Sequence, residues 1–406
     1  MEERITLERA RELIEQTAAP LGTERVSARS ALGRVLAEAV YSPIDQPPFP
    51  RSPLDGYAFA AASSRGASRA NPVTLTVVDT IYAGGWSEVT VRPGQAVRLM
   101  TGAPIPAGCD CVLRQEDTDL GRERVQIYTE LAPWDNYCFQ GEDYQKGDVL
   151  LPAGAYLGGA GLGVLSSAGL YLDEVELTVR RTPRVALLCT GDELVTGAVR
   201  PLPPGKIYSS NQVFLQTRLK ELGMEVISDP VQWGDEPEEL AAAIRALAER
   251  ADVILTTGGV SVGEKDIFHQ VLPLLGAERI FWRVQLKPGT PLMYSLYQGV
   301  PILSLSGNPF AAAATFELLG RNLLAARAGK PALLPLRTQA ELRTPFPKGG
   351  GMRRFVRGIF RDGAVTLPKG HSSGELRSTI GTNCLVELEA GRGPVAAGET
   401  VGVYII

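Results

Sequence analysis

The stretch 251–268, ADVILTTGGVSVGEKDIF, changes character twice in eighteen residues, and a fold for this chain has to accommodate both changes. Residues 252–257 are a short apolar run of strand type, Gly258 and Gly259 break it, and an acidic, helix-compatible segment follows. Strand, glycine turn and helix in that order bring backbone N–H groups to a helix N-terminus, where free donors and the helix dipole favour phosphate or another oxyanion. Glu264 and Asp266 stand just beyond the turn. Carboxylates beside a phosphate repel it by about 4 kcal/mol per charge pair at about 4 Å and an effective dielectric of about 20. A divalent cation relieves that repulsion, and carboxylates with phosphate oxygens are the ligands Mg²⁺ prefers.

Two other readings of the same letters stay open. Gly-Gly after a strand is also an ordinary tight turn, and acidic residues in a first helical turn also simply complement the dipole. Gly259-Val260-Ser261-Val262-Gly263 matches the G-x-S-x-G nucleophile elbow of serine hydrolases. Two glycines separate Ser261 from the strand it should leave directly, and the only histidines are His269, too close in sequence, and His371.

At 406 residues the chain is long for one core, so several domains are expected. A hydrophobic content of 44% with 21% charged residues describes a globular protein, and a net charge of -4 without a basic tract argues against a nucleic-acid partner. Five cysteines without a C-x-x-C pair, in a sequence without a secretory leader, lead to the expectation of a reduced, cytoplasmic protein. Cys109-Asp110-Cys111 lacks a second Cys or His pair to complete a zinc site. The uncharged run 149–172 is long enough to span a membrane, but Pro152 and its glycines suit a buried or interfacial helix instead, and no membrane partner is expected.

In chain order, the spacing of Leu7, Ala10, Ile14 and Ala18 predicts an amphipathic helix over 6–18 with Thr6 as N-cap, and a second helix is expected over 30–39. The proline-rich run 42–53 reads as a domain crossing, and 54–130 as a small all-β insertion containing the turns Asp55-Gly56-Tyr57 and Met100-Thr101-Gly102. The expected division is a discontinuous helical linker domain (1–45 and 141–180), an inserted β domain (46–140), a doubly wound, parallel α/β domain (181–328) and a C-terminal β domain, barrel or sandwich (329–406). In such an α/β domain ligands lie outside the carboxyl ends of the strands. Those ends carry Thr190-Gly191-Asp192-Glu193, Gly258-Gly259 and Ser306-Gly307-Asn308-Pro309, with Asn308 suited to an N-cap and Pro309 to the first helical position. Three such turns on one edge predict a binding crevice, and Lys287 supplies a cation nearby in the sequence.

Taken together, SPLDGYA at 52–58, RLMTGAP at 98–104, GED at 141–143, TGDEL at 190–194, TTGGVSVGEKD at 256–266, FWRVQLKPG at 281–289, SGNP at 306–309 and SSGELRS at 372–378 resemble the molybdopterin molybdenumtransferases, the family that includes the E domain of gephyrin. The resemblance spans essentially the whole chain. It implies a pterin-binding α/β domain, a C-terminal β-barrel, and insertion of molybdate into the dithiolene of adenylylated molybdopterin with release of AMP. It also implies a homodimer whose sites lie between the α/β domain of one subunit and the β insertion of the other, with molybdopterin adenylyltransferase as the upstream partner.

On this resemblance Asp55 and Thr101 face the cleft, and Asp143, Glu193, Asp235 and Asp266 match acidic site positions. Glu193, Asp235 and Asp266 would hold Mg²⁺. Thr190, Gly258, Gly259, Ser261 and the Ser306-Gly307-Asn308-Pro309 turn would bind substrate, Lys287 and Arg283 would meet its anionic groups, and Arg357 and Ser373 match C-terminal positions near the cleft. Ser306 where Pro is common, Thr290 where Lys is frequent and Pro53-Leu54 for Ala-Met depart from the family pattern. An adenylyltransferase acting on molybdopterin and a non-catalytic scaffold are the alternative readings; the former leaves the β insertion unexplained.

Overall fold

The computed structural model describes residues 2–195, 197–228, 233–260 and 267–406. The chain divides into two compact units: Met1–Arg25 with Gly33–Ala37 and Thr178–Ile406, and Val26–Leu32 with Glu38–Leu177.

The first unit is built on a seven-stranded sheet in the order Glu2–Ile5, Glu278–Val284, Met293–Tyr297, Val300–Leu305, Val253–Thr257, Arg184–Cys189, Glu225–Ser228. Its central strands are mostly apolar and buried because both faces are covered. Val185, Leu187, Cys189, Val253, Leu255, Leu303 and Leu305 enter one core, with the helices Leu7–Thr17 and Ser210–Glu221 and the helical run that begins at Pro309. Ala186, Leu188, Ile254 and Ile302, one residue out of phase, enter the other with Pro237–Ala248 and Phe268–Leu275. Thr6 caps the first helix as expected, its Oγ1 accepting from Arg9 N at 3.2 Å.

Three expectations for this unit need correction. The sheet is not wholly parallel: Met293–Tyr297 pairs antiparallel with both of its neighbours, because the short 297–300 connection makes a hairpin with Val300–Leu305. Residues 2–17 belong here rather than with a helical linker domain, since Glu2–Ile5 pairs parallel to Glu278–Val284 and Leu7, Ala10 and Ile14 pack in the sheet's core. The helix expected over 30–39 does not form. Gly33 sits at φ +80°, and Leu36 instead bridges Val179 while Ala37 N donates to Thr178 O.

The C-terminal residues close a barrel. Arg353–Arg361, Ala364–Thr366, Leu336–Leu342, Thr400–Ile405 and Cys384–Leu388 follow one another around it, and the last strand pairs back onto the first. Leu286–Lys287 joins Arg353–Arg361 from outside the ring. Closure removes the free edges that a small sheet would otherwise expose.

The second unit contains the all-β insertion, with strands ordered Cys111–Arg114, Gly56–Phe59, Gln95–Leu99, Val73–Ile81, Arg124–Ile127. Both faces are packed: Tyr57, Phe59 and Leu75 lie in one core, Ala58, Val97 and Ile81 in the other. Leu75 and Ile81 have the same parity yet face opposite ways, because a register shift between Val77 and Asp79 adds one residue. The run 149–172 is not one buried helix. It forms the strand Val149–Leu151, paired with Val40–Tyr41, and the nine-residue helix Gly159–Ser167, whose glycines provide no side chains to bury and in which only Leu165 is buried. No helix among the described residues is long and apolar enough to cross a membrane.

Candidate active site

The site is set by topology. From Arg184–Cys189 the chain moves outward to Glu225–Ser228, then returns to place Val253–Thr257 on the other side of the first strand, with the intervening helices on opposite faces. Strand order reverses at that point, and the connections diverge and leave a crevice. A cleft of about 430 Å³ opens there, lined by Thr190, Gly191 and Glu193, by Gly258 and Gly259, and by the whole 306–309 turn. The three strand ends therefore meet, as the sequence predicts.

The turns are braced against one another. Thr190 N donates to Thr257 O at 2.9 Å, Gly258 N to Leu305 O at 3.2 Å, and Asn211 Nδ2 to Gly307 O at 2.8 Å. Gly258 and Gly259 have φ of +92° and +63°, and an added Cβ would lie 2.4 Å from Thr190 O and 2.4 Å from Ile267 Cγ2 respectively. Neither position takes another residue without displacing the crevice wall. The described helix after this turn is Phe268–Leu275, and Phe268 N donates to Gly259 O at 3.2 Å. Ser261, Glu264 and Asp266 lie outside the described residues.

Glu193 and Asp235 line the cleft together. Asp192 does not; its Oδ1 accepts from Asp235 N at 3.1 Å, and its carbonyl accepts from Lys206 Nζ at 2.6 Å. Asp192 thus braces the segment that carries Asp235. Among the described residues no group of three or more His, Cys, Asp or Glu side chains is placed to hold a metal. Two carboxylates on one cleft still suit Mg²⁺, which is commonly held by one or two carboxylates with substrate phosphate oxygens. Cys189, at the end of its strand, is pushed up to about 11 by burial and stays a thiol.

The other cleft residues lacked a comparable signal. Leu194, Ile207, Tyr208, Ser209, Ser210 and Asn211 line the cleft. The polar Ser-Ser-Asn run is the one local signal for them, since Ser209 is the N-cap of Ser210–Glu221. That helix aims its N-terminal N–H groups and dipole at the cleft, favouring an anion.

A second cavity of about 290 Å³ shares Pro291, Ser306 and Asn308 with the cleft and is lined by Lys287, Thr290, Arg354, His371 and Ser373. Lys287 and Ser373 therefore sit beside the crevice rather than in it. Ser306 Oγ accepts from Asn308 N at 3.4 Å, so the serine braces the turn, and Thr290 Oγ1 donates to Leu286 O at 2.6 Å.

Two proposed cations are committed elsewhere. The Arg283 guanidinium lies 4.0 Å from the centre of the Trp282 ring and 3.6 Å from Glu3, and lines neither cavity. Its positive φ of 64° turns it away from the strand's regular course. Arg357 is fully buried, stacked 3.6 Å over Phe310, and donates to the carbonyls of Glu375 and Ser372 and to Ser378 Oγ. It fixes the 372–378 loop, whose Ser373 carbonyl accepts from Phe310 N at 2.9 Å. His269 packs edge-on against Trp282, with Nδ1 2.7 Å from Arg279 Nη1.

In the second unit, Asp55 Oδ1 accepts from Thr101 N at 2.7 Å and from Thr101 Oγ1 at 2.8 Å, joining the two predicted turns. These bonds, the backbone one first, hold the Asp55 carboxyl below its ordinary range. Their contribution is present above the ordinary carboxylate pKa and is lost as pH falls through the lowered value. Replacing Thr101 by Val keeps the backbone donor and removes the hydroxyl; the Asp55 pKa should rise in a carbon-detected NMR titration, and an unmoved titration would show that the hydroxyl does not hold it. Asp143 is exposed, with its N donating to Gln46 O at 2.9 Å, so the GED turn is pinned to the proline-rich crossing.

A doubly wound domain whose switch-point crevice is lined by two carboxylates and a helix N-terminus is an α/β fold of the ligand-binding kind, here joined in sequence to a β insertion and a closed barrel. Residues 5–169 match the MoeA N-terminal region (domain I and II), 186–326 a probable molybdopterin binding domain, and 339–406 the MoeA C-terminal region (domain IV). A molybdopterin molybdenumtransferase of Haemophilus influenzae is 35% identical over 407 residues, covering 98% of each chain. One from Nostoc sp. is 35% identical over 395 residues, covering 93% of this chain and 88% of its own. The crystal structure of a molybdopterin biosynthesis MoeA protein from Pyrococcus horikoshii OT3 superposes with a TM-score of 0.86 at 27% identity, covering 99% of this chain and 100% of that one. The chain belongs to the molybdopterin molybdenumtransferase family, and its place is in molybdenum cofactor biosynthesis.

Proposed function

We propose that this protein inserts molybdate into the dithiolene of adenylylated molybdopterin and releases AMP. The observation that carries the reading is the convergence of three strand-end turns, two carboxylates and a helix N-terminus on one cleft. The 190–193, 258–259 and 306–309 turns orient the phosphate-bearing part of the substrate, and their mutual hydrogen bonds fix its position. Lys287 and Ser373, in the adjoining cavity, receive the oxyanion end, where a cation offsets its charge. Glu193 and Asp235, with Asp266 as a third candidate, would hold Mg²⁺. Bound there, the ion would neutralise the anhydride and polarise its phosphorus.

A homodimer belongs to the same proposal, with Asp55, Thr101 and Asp143 of one copy serving the cleft of the other, as do a cytoplasmic setting and delivery of substrate by a molybdopterin adenylyltransferase. Light scattering on the purified chain tests the dimer. The activity is tested by AMP release from adenylyl-molybdopterin in Mg²⁺, with molybdate, tungstate or no oxyanion. Release should depend on oxyanion and identify the preferred one. Equal release without oxyanion would reduce the protein to a phosphohydrolase, and none at all would leave only a binding protein.

A further inference from the structure

We propose that the ribbon formed by Leu194–Val195 and Ile207–Tyr208 is a stacking wall for a planar heterocycle of the substrate, whose anionic end then points across the 306–309 turn towards Lys287. This rests on the transferase reading above, which supplies a substrate with two flat nitrogen heterocycles, a pterin and an adenine.

Most of the cleft is walled by small or polar turns, yet Ile207 and Tyr208 line it while remaining 53% and 43% exposed. Isolated exposed apolar side chains mean little, but an exposed aromatic one on the rim of a polar cavity offers a surface that a flat ring can cover. Leu194, partly buried, pairs with Ile207 across the parallel two-stranded ribbon and also lines the cleft.

The wall is preformed. Ile207 N donates to Glu193 O at 2.8 Å and Ser209 N to Val195 O at 3.1 Å, while Tyr208 Oη donates to Val199 O at 3.0 Å. The Tyr208 ring is thereby tethered at its far end, so a stacked ligand loses little of its binding to ordering the protein.

The direction of the ligand follows from where the charge lies. Pro291, Ser306 and Asn308 are common to the cleft and the adjoining cavity, and that cavity carries Lys287 and Arg354. Positive charge is therefore gathered beyond the 306–309 turn, whereas the ribbon side of the cleft offers apolar surface and the Glu193 carboxylate. A substrate with one of its rings on the ribbon then directs its anionic groups towards Lys287.

Calorimetric titration of the full chain with AMP, with molybdopterin and with molybdate, the last having no ring, tests the wall. Tyr208→Ala should weaken binding of one ring-bearing probe about 10-fold, in line with base-on-aromatic stacking. Tyr208→Phe keeps the ring and should stay within about twofold, while molybdate affinity does not move. The probe that loses affinity identifies which heterocycle the wall holds. Unchanged binding of both ring-bearing probes would overturn the proposal, and so would an equal loss for molybdate, which would mean a collapsed cleft rather than a lost stack. Oxyanion-dependent AMP release by the parent chain reports the transferase reading separately, so either failure is seen without the other.

Discussion

Glu317→Ala is expected to destabilise the first unit by about 3–5 kcal/mol, the usual cost of removing one partner from a buried ion network. Glu317 is 2% exposed and receives Arg218 Nε at 2.7 Å and Arg321 Nη1 at 3.0 Å, from side chains only 19% and 9% exposed. Truncation leaves two guanidinium groups in a low-dielectric interior. Arg218 keeps Glu221 at 2.9 Å and Arg321 keeps the Leu333 carbonyl at 2.6 Å, but neither of these replaces the lost charge. The site is affected as well as the core. Arg218 lies on Ser210–Glu221, whose first turn lines the cleft, and Glu317 on the helical run that starts at Pro309, so the ion pair locks together two helices that begin at the site. The thermal midpoint of that unit should fall by roughly 10 °C. A fall under about 2 °C would show that water already solvates the three charges.

Periodicity made the α/β half legible. Runs such as Val185 to Cys189 and Val253 to Leu255 are apolar at every position, which requires two covered faces, and the glycine turns after those strands mark their ends. The polar turns at those ends mark the crevice. Local pattern does not contain strand order, however. The addition of Glu2–Ile5 at the edge and the closure of the C-terminal barrel are long-range pairings. Side-chain destinations were equally hidden. Arg283 reads as a cation for an anionic ligand and Arg357 as a position near the cleft, but stacking on Trp282 and burial against Phe310 commit them to structure. Tyr208 was overlooked because a Tyr before a helix has the same letters whether it faces core, solvent or ligand.

Glu193→Gln should lower Mg²⁺-supported AMP release about 10²-fold at limiting Mg²⁺, the scale of losing one charge-stabilising group at a reacting centre. The choice of this carboxylate is geometric. Glu193 and Asp235 line the cleft, whereas Asp192 accepts from the Asp235 backbone and does not line it. A glutamine retains the shape and one acceptor oxygen but not the charge, so the defect should appear chiefly as a higher Mg²⁺ requirement that excess Mg²⁺ partly restores. Because Glu193 is exposed, its thermal midpoint should be that of the parent. Asp235→Asn should behave similarly. Asp192→Asn, which keeps an acceptor for Asp235 N, should retain activity within a few-fold and the parental Mg²⁺ requirement. A parental Mg²⁺ titration for both Glu193→Gln and Asp235→Asn would remove the metal from this cleft. A defect in Asp192→Asn that excess Mg²⁺ reverses would move the ligand role to the residue assigned here to bracing.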